Sequence, residues 1–413
     1  MASEWVDTTL GDVLTLQRGF DLPEAEREPG TYPVIASTGQ VGTHIEAMVQ
    51  GPGVVIGRSG SLGGGQFIQS DFWPLNTTLW VKDFKGHDPR FCYYLLKSLD
   101  LAQFNAGSGV PTLNRNHIHP LPVRAPTDVA EQRAIAHILG ALDDKIVLNR
   151  KVNETLEAIA QAIFKSWFVD FDPVRAKAEG RDPGLPKPLA DLFPDSFEES
   201  ELGEMPRGWE VKAAGEVAER VAMGPFGSSI KVETFTKEGV PIISGQHLHR
   251  FILQDTTFNF ITEDHAKRLA NAIVERGDVV FTHAGNIGQV AFIPANSRYE
   301  RYVISQRQFF MRCDRAKISP SYIALYFTTA EGRGRLLANT SSSGVPSIAR
   351  PVTYLRSLML PIPPRAVLDQ FERMLLPLLR QLRENVKQND PLAAVRDTLL
   401  PKLISGELRV ARR

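Results

Sequence analysis

Hydrophobic positions along this 413-residue chain follow a helical period in two long stretches. In residues 128–168 apolar side chains recur every three or four positions with few helix breakers, which predicts an amphipathic helix of roughly 37 residues, about 55 Å long. A second stretch over residues 363–403 has the same period, but Pro377 and Pro391 interrupt it, so we expect a bent or split helix there. Two such helices favour antiparallel pairing, and the polar Asn149 near the seam would fix its register.

Short apolar runs separated by glycine and proline fill the rest of the chain and predict strands and turns. Strands are expected at Tyr32 to Ala36, Val54 to Gly57, Gln66 to Ile68 and Leu79 to Val81, and helices at residues 89–101 and 319–328. The predicted fold class is α+β, with two similar domains joined by two long antiparallel helices. The domain boundaries are 1–126, 127–171 (central helix), 172–207 (a proline-rich linker with short helical pieces), 208–363 and 364–413 (C-terminal helical region).

Short motifs occur twice at a nearly constant offset. Residues 108–112 (Ser-Gly-Val-Pro-Thr) are matched 235 positions later by residues 343–347 (Ser-Gly-Val-Pro-Ser). Residues 153–156 (Asn-Glu-Thr-Leu) are matched 236 positions later by residues 389–392 (Asn-Asp-Pro-Leu). This duplication predicts a pseudo-twofold architecture, which suits a partner that also has two similar halves.

The formal net charge of +0 hides an uneven distribution. Residues 208–363 carry 18 Lys and Arg against 13 Asp and Glu, whereas residues 1–125 carry 9 against 12. A neutral total leaves nucleic-acid binding open, because such binding depends on a local basic face. The sequence shows neither a signal peptide nor an apolar run long enough for a membrane span, so a cytoplasmic protein without a membrane partner is expected. The two cysteines, Cys92 and Cys313, are expected to be inert core residues.

Motifs for cofactor chemistry are missing from the sequence. It lacks a phosphate loop and the glycine-rich and aromatic signatures of a methyltransferase, so no cofactor is expected on this chain. The glycine runs at 59–65 and 284–288 are interpreted as tight turns rather than nucleotide sites, since neither leads into a convincing helix. The pairs His117-x-His119 and His247-x-His249 lack a clustered third ligand, and no metal site is expected.

Several motifs resemble those of the specificity subunits of type I restriction-modification systems. The resemblance covers essentially the whole chain and rests on residues 107–114 (Gly-Ser-Gly-Val-Pro-Thr-Leu-Asn), 131–136 (Glu-Gln-Arg-Ala-Ile-Ala), 153–157 (Asn-Glu-Thr-Leu-Glu), 164–171 (Phe-Lys-Ser-Trp-Phe-Val-Asp-Phe) and 399–408 (Leu-Leu-Pro-Lys-Leu-Ile-Ser-Gly-Glu-Leu). It implies a non-catalytic subunit that reads a split, asymmetric target in double-stranded DNA, with one half-site per recognition domain and a helix-set spacer.

The same resemblance implies partners and cofactors. Two methyltransferase subunits and the endonuclease subunits would bind this chain and use S-adenosylmethionine, ATP and magnesium. Two recognition domains on one face of DNA would lie about one helical turn, roughly 34 Å, apart. Two alternatives stay open: a decayed subunit that assembles its partners without reading sequence, and an enzyme with an unrecognised active site.

Candidate functional residues fall into three groups. Polar residues beside turns are expected to contact DNA: Arg58, Ser59, Asn76, Thr77, Asn114, Arg115, Ser228, Ser229, Lys231, His247, Arg250, His283, Asn286, Arg307, Ser347 and Arg350. Apolar helix positions are expected to form the seam of the helix pair: Ile135, Leu142, Leu156, Ile163, Leu382, Val386, Leu392 and Leu399. Exposed aromatic flanks are expected to dock the methyltransferase subunits: Phe164, Trp167 and Phe168.

Overall fold

A computed structural model describes residues 4–107, 109–227, 229–253, 255, 257–341 and 344–410. It divides into two compact units. The first comprises residues 1–149 and 387–413, and the second comprises residues 150–386. Both units mix helices and strands, which confirms the predicted α+β class.

Strands dominate the first unit. They are β1 (Trp5–Thr9), β2 (Thr15–Arg18), β3 (Tyr32–Ala36), β4 (Gly39–His44), β5 (Gly53–Gly57), β6 (Gly63–Ile68), β7 (Trp73–Pro74), β8 (Thr78–Asp83) and β9 (Pro122–Pro126). The helices are α1 (Leu10–Val13), α2 (Pro89–Ser98), α3 (Arg115–Ile118), the first part of α4 (Val129–Phe168) and the last part of α11 (Arg365–Ile404). The strands and the helix predicted in this region are all present.

The central sheet of the first unit has the strand order β2-β8-β5-β6. Its strand β5 is buried on both faces, because Val54 and Ile56 pack with α2 while Val55 packs with Phe72 on the opposite side. A second sheet has the order β4-β3-β7, with β3 and β7 parallel, and β1 pairs with β9. The continuous apolar run of β5 is typical of such a doubly covered strand.

The second unit begins within α4 and contains the remaining elements. Its strands are β10 (Phe197–Ser200), β11 (Gly203–Pro206), β12 (Glu210–Ala213), β13 (Ala218–Met223), β14 (Val240–Ile243), β15 (Asn259–Ile261), β16 (Ile273–Glu275), β17 (Asp278–Thr282), β18 (Val290–Phe292), β19 (Arg301–Ile304), β20 (Gln308–Cys313), β21 (Thr340–Ser341), β22 (Ser347–Ile348) and β23 (Met359–Ile362). Its helices are α5 (Asp172–Ala178), α6 (Lys187–Ala190), α7 (Glu263–Arg268), α8 (Pro320–Tyr326), α9 (Ala330–Leu337), α10 (Pro351–Ser357) and the first part of α11 (Arg365–Ile404).

The sheets of the second unit repeat those of the first. The order β13-β20-β17-β18 reproduces β2-β8-β5-β6, and the pair β12-β23 reproduces β1-β9. The order β15-β14-β19-β16 reproduces β4-β3-β7 with one more edge strand, and its β14 and β19 are parallel as β3 and β7 are. The duplication seen in the motifs is therefore a duplication of the whole domain topology.

The two long helices, α4 and α11, are equivalent along their whole length. Each has 40 residues, and both ends differ by 236 positions (365 − 129 and 404 − 168). The second helix is not split, as one form of the prediction had it, because α11 runs unbroken through Pro377 and Pro391. Both prolines lie on exposed positions, where water can satisfy the carbonyl groups that lose a backbone partner.

Residues 172–207 are a folded part of the second unit, so the prediction of a linker is wrong. The expected short helical pieces are present as α5 and α6, and β10 and β11 form an antiparallel hairpin. Val174, Phe193 and Met205 are buried in the main core of this unit. Proline and acid content misled the prediction because a few apolar side chains suffice to hold a short segment on a large core.

Among the described residues, none of the helices is long and apolar enough to cross a membrane. Cys92 and Cys313 are buried free thiols, as predicted, and burial raises the pKa of both.

Candidate nucleic-acid interface

Each unit contains a glycine turn that contacts a Gly-Val-Pro loop. In the first unit the turn (residues 58–62) joins β5 to β6, and the loop (residues 109–115) leads into α3. In the second unit the turn (residues 283–289) joins β17 to β18, and the loop (residues 344–350) leads into α10. We call these the first and second turn–loop pairs. Both turns connect antiparallel strands, in agreement with their interpretation as tight turns.

The same backbone hydrogen bond holds both turn–loop pairs together. Gly60 N donates to Pro111 O at 3.0 Å, and Gly285 N donates to Pro346 O at 3.0 Å. The two glycines have φ angles of +82° and +83°, a left-handed conformation that other residues rarely adopt. Each glycine run therefore serves the backbone geometry of its turn.

Arg58 and His283 occupy equivalent positions at the start of the two turns. The Arg58 carbonyl accepts a hydrogen bond from Leu113 N at 2.7 Å, and the His283 carbonyl accepts one from Ile348 N at 2.8 Å. These contacts follow the turn–glycine bonds in both units, so the register of turn against loop is the same. The two positions hold different side chains on one backbone frame.

A third loop, residues 75–77 in the first unit and 305–307 in the second, receives these two side chains. Arg58 Nη1 donates to the carbonyl of Asn76 at 3.2 Å. His283 Nε2 bonds the carbonyl of Gln306 at 3.1 Å, and it must be the donor because a carbonyl only accepts. Asn76 and Gln306 are therefore equivalent, and each third loop fixes the side chain that begins its turn.

The chemistry offered at these equivalent positions differs. The Arg58 guanidinium is a cation with five N–H donors. Burial lowers the pKa of His283, so its ring is neutral at physiological pH, and donation from Nε2 leaves Nδ1 as an acceptor. The following position of the third loop holds Thr77 in the first unit and the exposed Arg307 in the second. The same backbone conformation therefore presents different hydrogen-bonding side chains in the two units.

The structure brings the predicted DNA contacts of the first unit into one cluster. Asn114 caps α3 by accepting from Asn116 N at 3.0 Å, and Arg115 Nη1 donates to Leu16 O at 3.3 Å. Thr77 accepts from Ser37 N at 3.3 Å. All members lie in the first turn–loop pair or its third loop: Arg58, Ser59, Asn76, Thr77, Asn114 and Arg115.

In the second unit the predicted contacts divide between two places. Ser229 and Lys231 are exposed on the loop that follows β13, and Ser228 lies outside the described residues. Five more lie in the second turn–loop pair or its third loop: His283, Asn286, Arg307, Ser347 and Arg350.

Two predicted DNA contacts in the second unit have structural roles instead. His247 is 1% exposed, its ring stacks on Phe258, and Ser244 N donates to its Nδ1 at 3.0 Å. Arg250 forms ion pairs with Glu157 at 2.8 Å and Glu154 at 3.6 Å. These predictions are corrected, because polarity beside a turn also suits a side chain that fixes the turn itself.

Asparagine pairs lie between the long helices, and one of them contains Asn149, which was expected near the seam. In the first unit Asn149 Nδ2 donates to Asn389 Oδ1 at 2.9 Å. In the second unit Asn385 Nδ2 donates to Asn153 Oδ1 at 2.8 Å, and Asn153 Nδ2 donates to the Leu382 carbonyl at 3.2 Å. The offset of 236 makes Asn149 equivalent to Asn385 and Asn153 to Asn389, so the same amide pair occurs in each unit.

The predicted seam residues have several different environments. Leu382 is buried, and Ile135 is buried in the core of the first unit, which also contains Leu400 and Leu403 of α11. Val386 is 37% exposed, so its assignment to the seam is wrong. The remaining positions are half-buried: Leu142, Leu156, Ile163, Leu392 and Leu399.

The aromatic residues at the end of α4 form the core of the second unit. Phe164, Trp167 and Phe168 are 1%, 3% and 2% exposed, and each packs against Phe371 on α11. Tyr322 on α8 also contacts two of them. Their prediction as an exposed docking surface is therefore wrong, because helical periodicity alone cannot tell an apolar face that awaits a partner from one already covered.

Sequence reasoning missed three residues of the candidate interface. Gln306 anchors a loop of the second unit, Asp21 accepts a hydrogen bond from Asn76, and Phe226 occupies the position equivalent to Asp21. The motif offset of 235 does not reach them, since loop lengths differ between the halves. An alignment of Gly19 with Gly224 would have shown that Asp21 and Phe226 occupy equivalent positions.

Across the described part of the chain, His, Cys, Asp and Glu side chains form no group of three or more suited to a metal ion. His119 Nε2 accepts from Leu16 N at 3.0 Å, a structural role within the first unit.

Comparison with known proteins shows which proteins this chain is similar to. Residues 2–158 match the model of the type I restriction modification DNA specificity domain. The MjaIX type I restriction enzyme specificity subunit of Methanocaldococcus jannaschii is 26% identical over 334 residues, covering 78% of this chain and 69% of that protein. The HindI specificity subunit of Haemophilus influenzae is 25% identical over 367 residues, covering 78% and 77%.

A solved structure shares the fold. The S subunit of a type I restriction-modification system from M. genitalium superimposes with a TM-score of 0.57 at 16% identity, covering 97% of this chain and 96% of that one. The doubled domain topology and the two equivalent 40-residue helices are consistent with this similarity in sequence and fold. Residues 2–158 therefore match a type I restriction modification DNA specificity domain, and the chain is similar in sequence to the specificity subunits of type I restriction enzymes over 78% of its length.

Proposed function

We propose that this chain reads a split and asymmetric DNA target, with one half-site for each turn–loop pair. The observation that carries the proposal is the contrast between Arg58 and His283. Both side chains start an equivalent turn and bond an equivalent carbonyl, yet one is a multiple donor and the other offers an acceptor. Equal frames with unequal polar groups suit two readers of different base pairs.

The two side chains favour different base edges. An arginine fork matches the two acceptors O6 and N7 of guanine in the major groove. A neutral histidine that accepts at Nδ1 matches the amino groups of adenine or cytosine. We therefore expect a guanine in the half-site of the first unit and an amino-bearing base opposite His283 in the other half-site.

Phosphate contacts supply the affinity in this proposal. Lys231, Arg307 and Arg350 are exposed near the second turn–loop pair, and their charges suit the DNA backbone. The first unit offers Arg58 and Arg115. The surplus of basic residues over 208–363 supports a larger electrostatic contribution from this part of the second unit.

Partner subunits supply the chemistry. By analogy with the type I specificity subunits it is similar to, this chain would assemble with two methyltransferase subunits and with endonuclease subunits in the cytoplasm. S-adenosylmethionine, ATP and magnesium would act on those partners. The chain itself would bind DNA and catalyse nothing.

The test is methylome sequencing of cells that express this chain with its cognate methyltransferase subunit, compared with cells that lack this chain. A new split motif with two unequal halves supports the proposal and gives both half-sites. A soluble assembled complex without a chain-dependent motif would leave the non-reading scaffold. Methylation or cleavage of DNA by the purified chain alone would favour the enzyme alternative.

A further inference from the structure

An exposed aromatic side chain lies on the loop that follows β13 in the second unit. Phe226 is 77% exposed, and it is the aromatic residue among the strongly exposed large hydrophobic side chains of the described part of the chain. Transfer of a phenylalanine side chain out of water lowers the free energy, so a ring this exposed to solvent favours contact with another molecule.

This loop is fastened to the second turn–loop pair through its third loop. Gln306 Nε2 donates to Gly227 O at 3.3 Å and to Ile230 O at 2.9 Å, and the Gln306 carbonyl accepts from His283. Ser229 Oγ donates to Phe226 O at 2.7 Å. Phe226 therefore belongs to the same loop cluster as the candidate base-reading residue His283.

The loop begins at a position that exists in both units. Gly224 N donates to Gln308 O at 2.9 Å, and Gly19 N donates to Thr78 O at 3.1 Å in the first unit. A Cβ at Gly224 would lie 2.1 Å from a backbone oxygen, and one at Gly19 would lie 2.2 Å from its counterpart. The two glycines are therefore equivalent, and Asp21 corresponds to Phe226.

The two equivalent loops differ in charge. Residues 224–233 (Gly-Pro-Phe-Gly-Ser-Ser-Ile-Lys-Val-Glu) contain one lysine and one glutamate and are neutral overall. Residues 19–28 (Gly-Phe-Asp-Leu-Pro-Glu-Ala-Glu-Arg-Glu) contain four carboxylates and one arginine. DNA phosphates would repel the loop of the first unit, whereas the loop of the second unit can approach the duplex.

We propose that Phe226 inserts its ring against a base step of the half-site read by the second unit and partly unstacks that step. The first unit has no equivalent wedge, because Asp21 stands at that position and bonds Asn76. This inference rests on the proposed function. Inserted apolar side chains kink DNA and thereby add readout of how easily a step deforms.

The experiment uses the complex of this chain with its methyltransferase subunit and the motif found by methylome sequencing. Duplexes carry 2-aminopurine at successive positions of the second half-site, since its fluorescence rises on unstacking. The variants are Phe226→Ala, Phe226→Tyr, which keeps the ring, and Val232→Ala. Val232 is a matched control, because it is 78% exposed six residues along the chain.

We expect a fluorescence rise at one step with the wild-type complex and with Phe226→Tyr. Phe226→Ala should abolish that rise and weaken binding by about 10- to 100-fold, the range of one aromatic–base stack, with unchanged subunit assembly. Val232→Ala should behave as wild type.

Three results would overturn the inference. In the first, Phe226→Ala binds and unstacks DNA as wild type does. In the second, Phe226→Ala lowers the yield of complex with the methyltransferase subunit, while the fraction that does assemble binds and unstacks DNA as wild type does, which would make Phe226 a docking residue. In the third, the wild-type complex binds the motif and a scrambled duplex equally, and the proposed function fails as well.

Discussion

The two turn–loop pairs share a backbone and differ in chemistry. Their φ angles, turn–loop hydrogen bonds and anchoring carbonyls agree. The side chains differ, because Arg58 in the first unit corresponds to His283 in the second and Thr77 corresponds to Arg307. The backbone bonds need only peptide groups, so the side chains at these positions can change without loss of the frame. A duplicated backbone arrangement whose side chains have diverged is therefore suited to a target with two unequal half-sites.

The long helices show a second contrast between the units. In the first unit Asp143 on α4 accepts hydrogen bonds from Arg396 at 2.6 Å and Tyr94 at 2.7 Å. Burial opposes ionisation of Asp143, but these hydrogen bonds outweigh it and lower its pKa. The equivalent helix positions in the second unit hold Leu379 and Ala160. The second unit replaces this polar contact with apolar and aromatic packing.

Phe168→Ala should have the largest effect, because it removes an aromatic ring from the core of the second unit. We expect a loss of about 3–5 kcal/mol of unfolding free energy. Ile159→Ala, at a 42% exposed site of the same helix segment, should change stability by less than about 0.5 kcal/mol. Denaturant unfolding and hydrogen exchange measure both. A stable Phe168→Ala protein that fails to bind the methyltransferase subunit would restore the docking role.

Asn153→Ala sharpens the comparison of the two amide pairs. It removes two hydrogen bonds within the second unit, and we expect a loss of about 2–3 kcal/mol. Asn389→Ala, its equivalent, removes one bond to Asn149 and should cost about 1 kcal/mol. Hydrogen exchange of the helix segments in each unit distinguishes the two effects. Equal losses would show that the pairs are energetically alike despite the extra bond.

Arg58→Ala tests whether the first turn–loop pair reads its own half-site. We expect about 1–3 kcal/mol less discrimination at one base pair of that half-site, with the other half-site unchanged. His283→Ala should relax a base in the opposite half-site. Methylome sequencing of both variants measures the change. Relaxation of both half-sites by one variant would contradict the assignment of one half-site to each unit.

Protonation of His247 at acid pH should lower the unfolding free energy of the second unit, and this is the smallest of the predicted effects. Burial lowers the folded-state pKa of His247 below 6.5, so the unfolded chain takes up its proton first as the pH falls. The stability contributed by the neutral ring is present above pH 6.5 and is lost between 6.5 and the lower folded-state pKa. Urea unfolding at pH 7.5 and 5.5 should show a smaller difference for His247→Gln than for the wild type. An unchanged difference would assign the acid sensitivity to other groups.

Much of the architecture follows from the sequence. The 235–236 offset in the motifs predicted the duplication, and helical periodicity predicted both long helices. Glycines flanking β5 and the apolar run between them predicted a strand and a turn, and the six predicted DNA contacts of the first unit meet in one loop cluster. These features depend on local backbone preference, which a sequence carries directly.

The tertiary structure alone decided which side chains are covered. Helical periodicity marked Phe164, Trp167 and Phe168 as an apolar face, but Phe371 and Tyr322 from distant parts of the chain bury them. The sequence predicted a polar Asn149 near the seam, but its partner Asn389 and the pair of Asn153 with Asn385 became known only from the folded chain. The sequence by itself determined the repeated elements and their order, because these are local. Burial and hydrogen-bond partnership are properties of pairs of segments, and only the folded chain brings those pairs together.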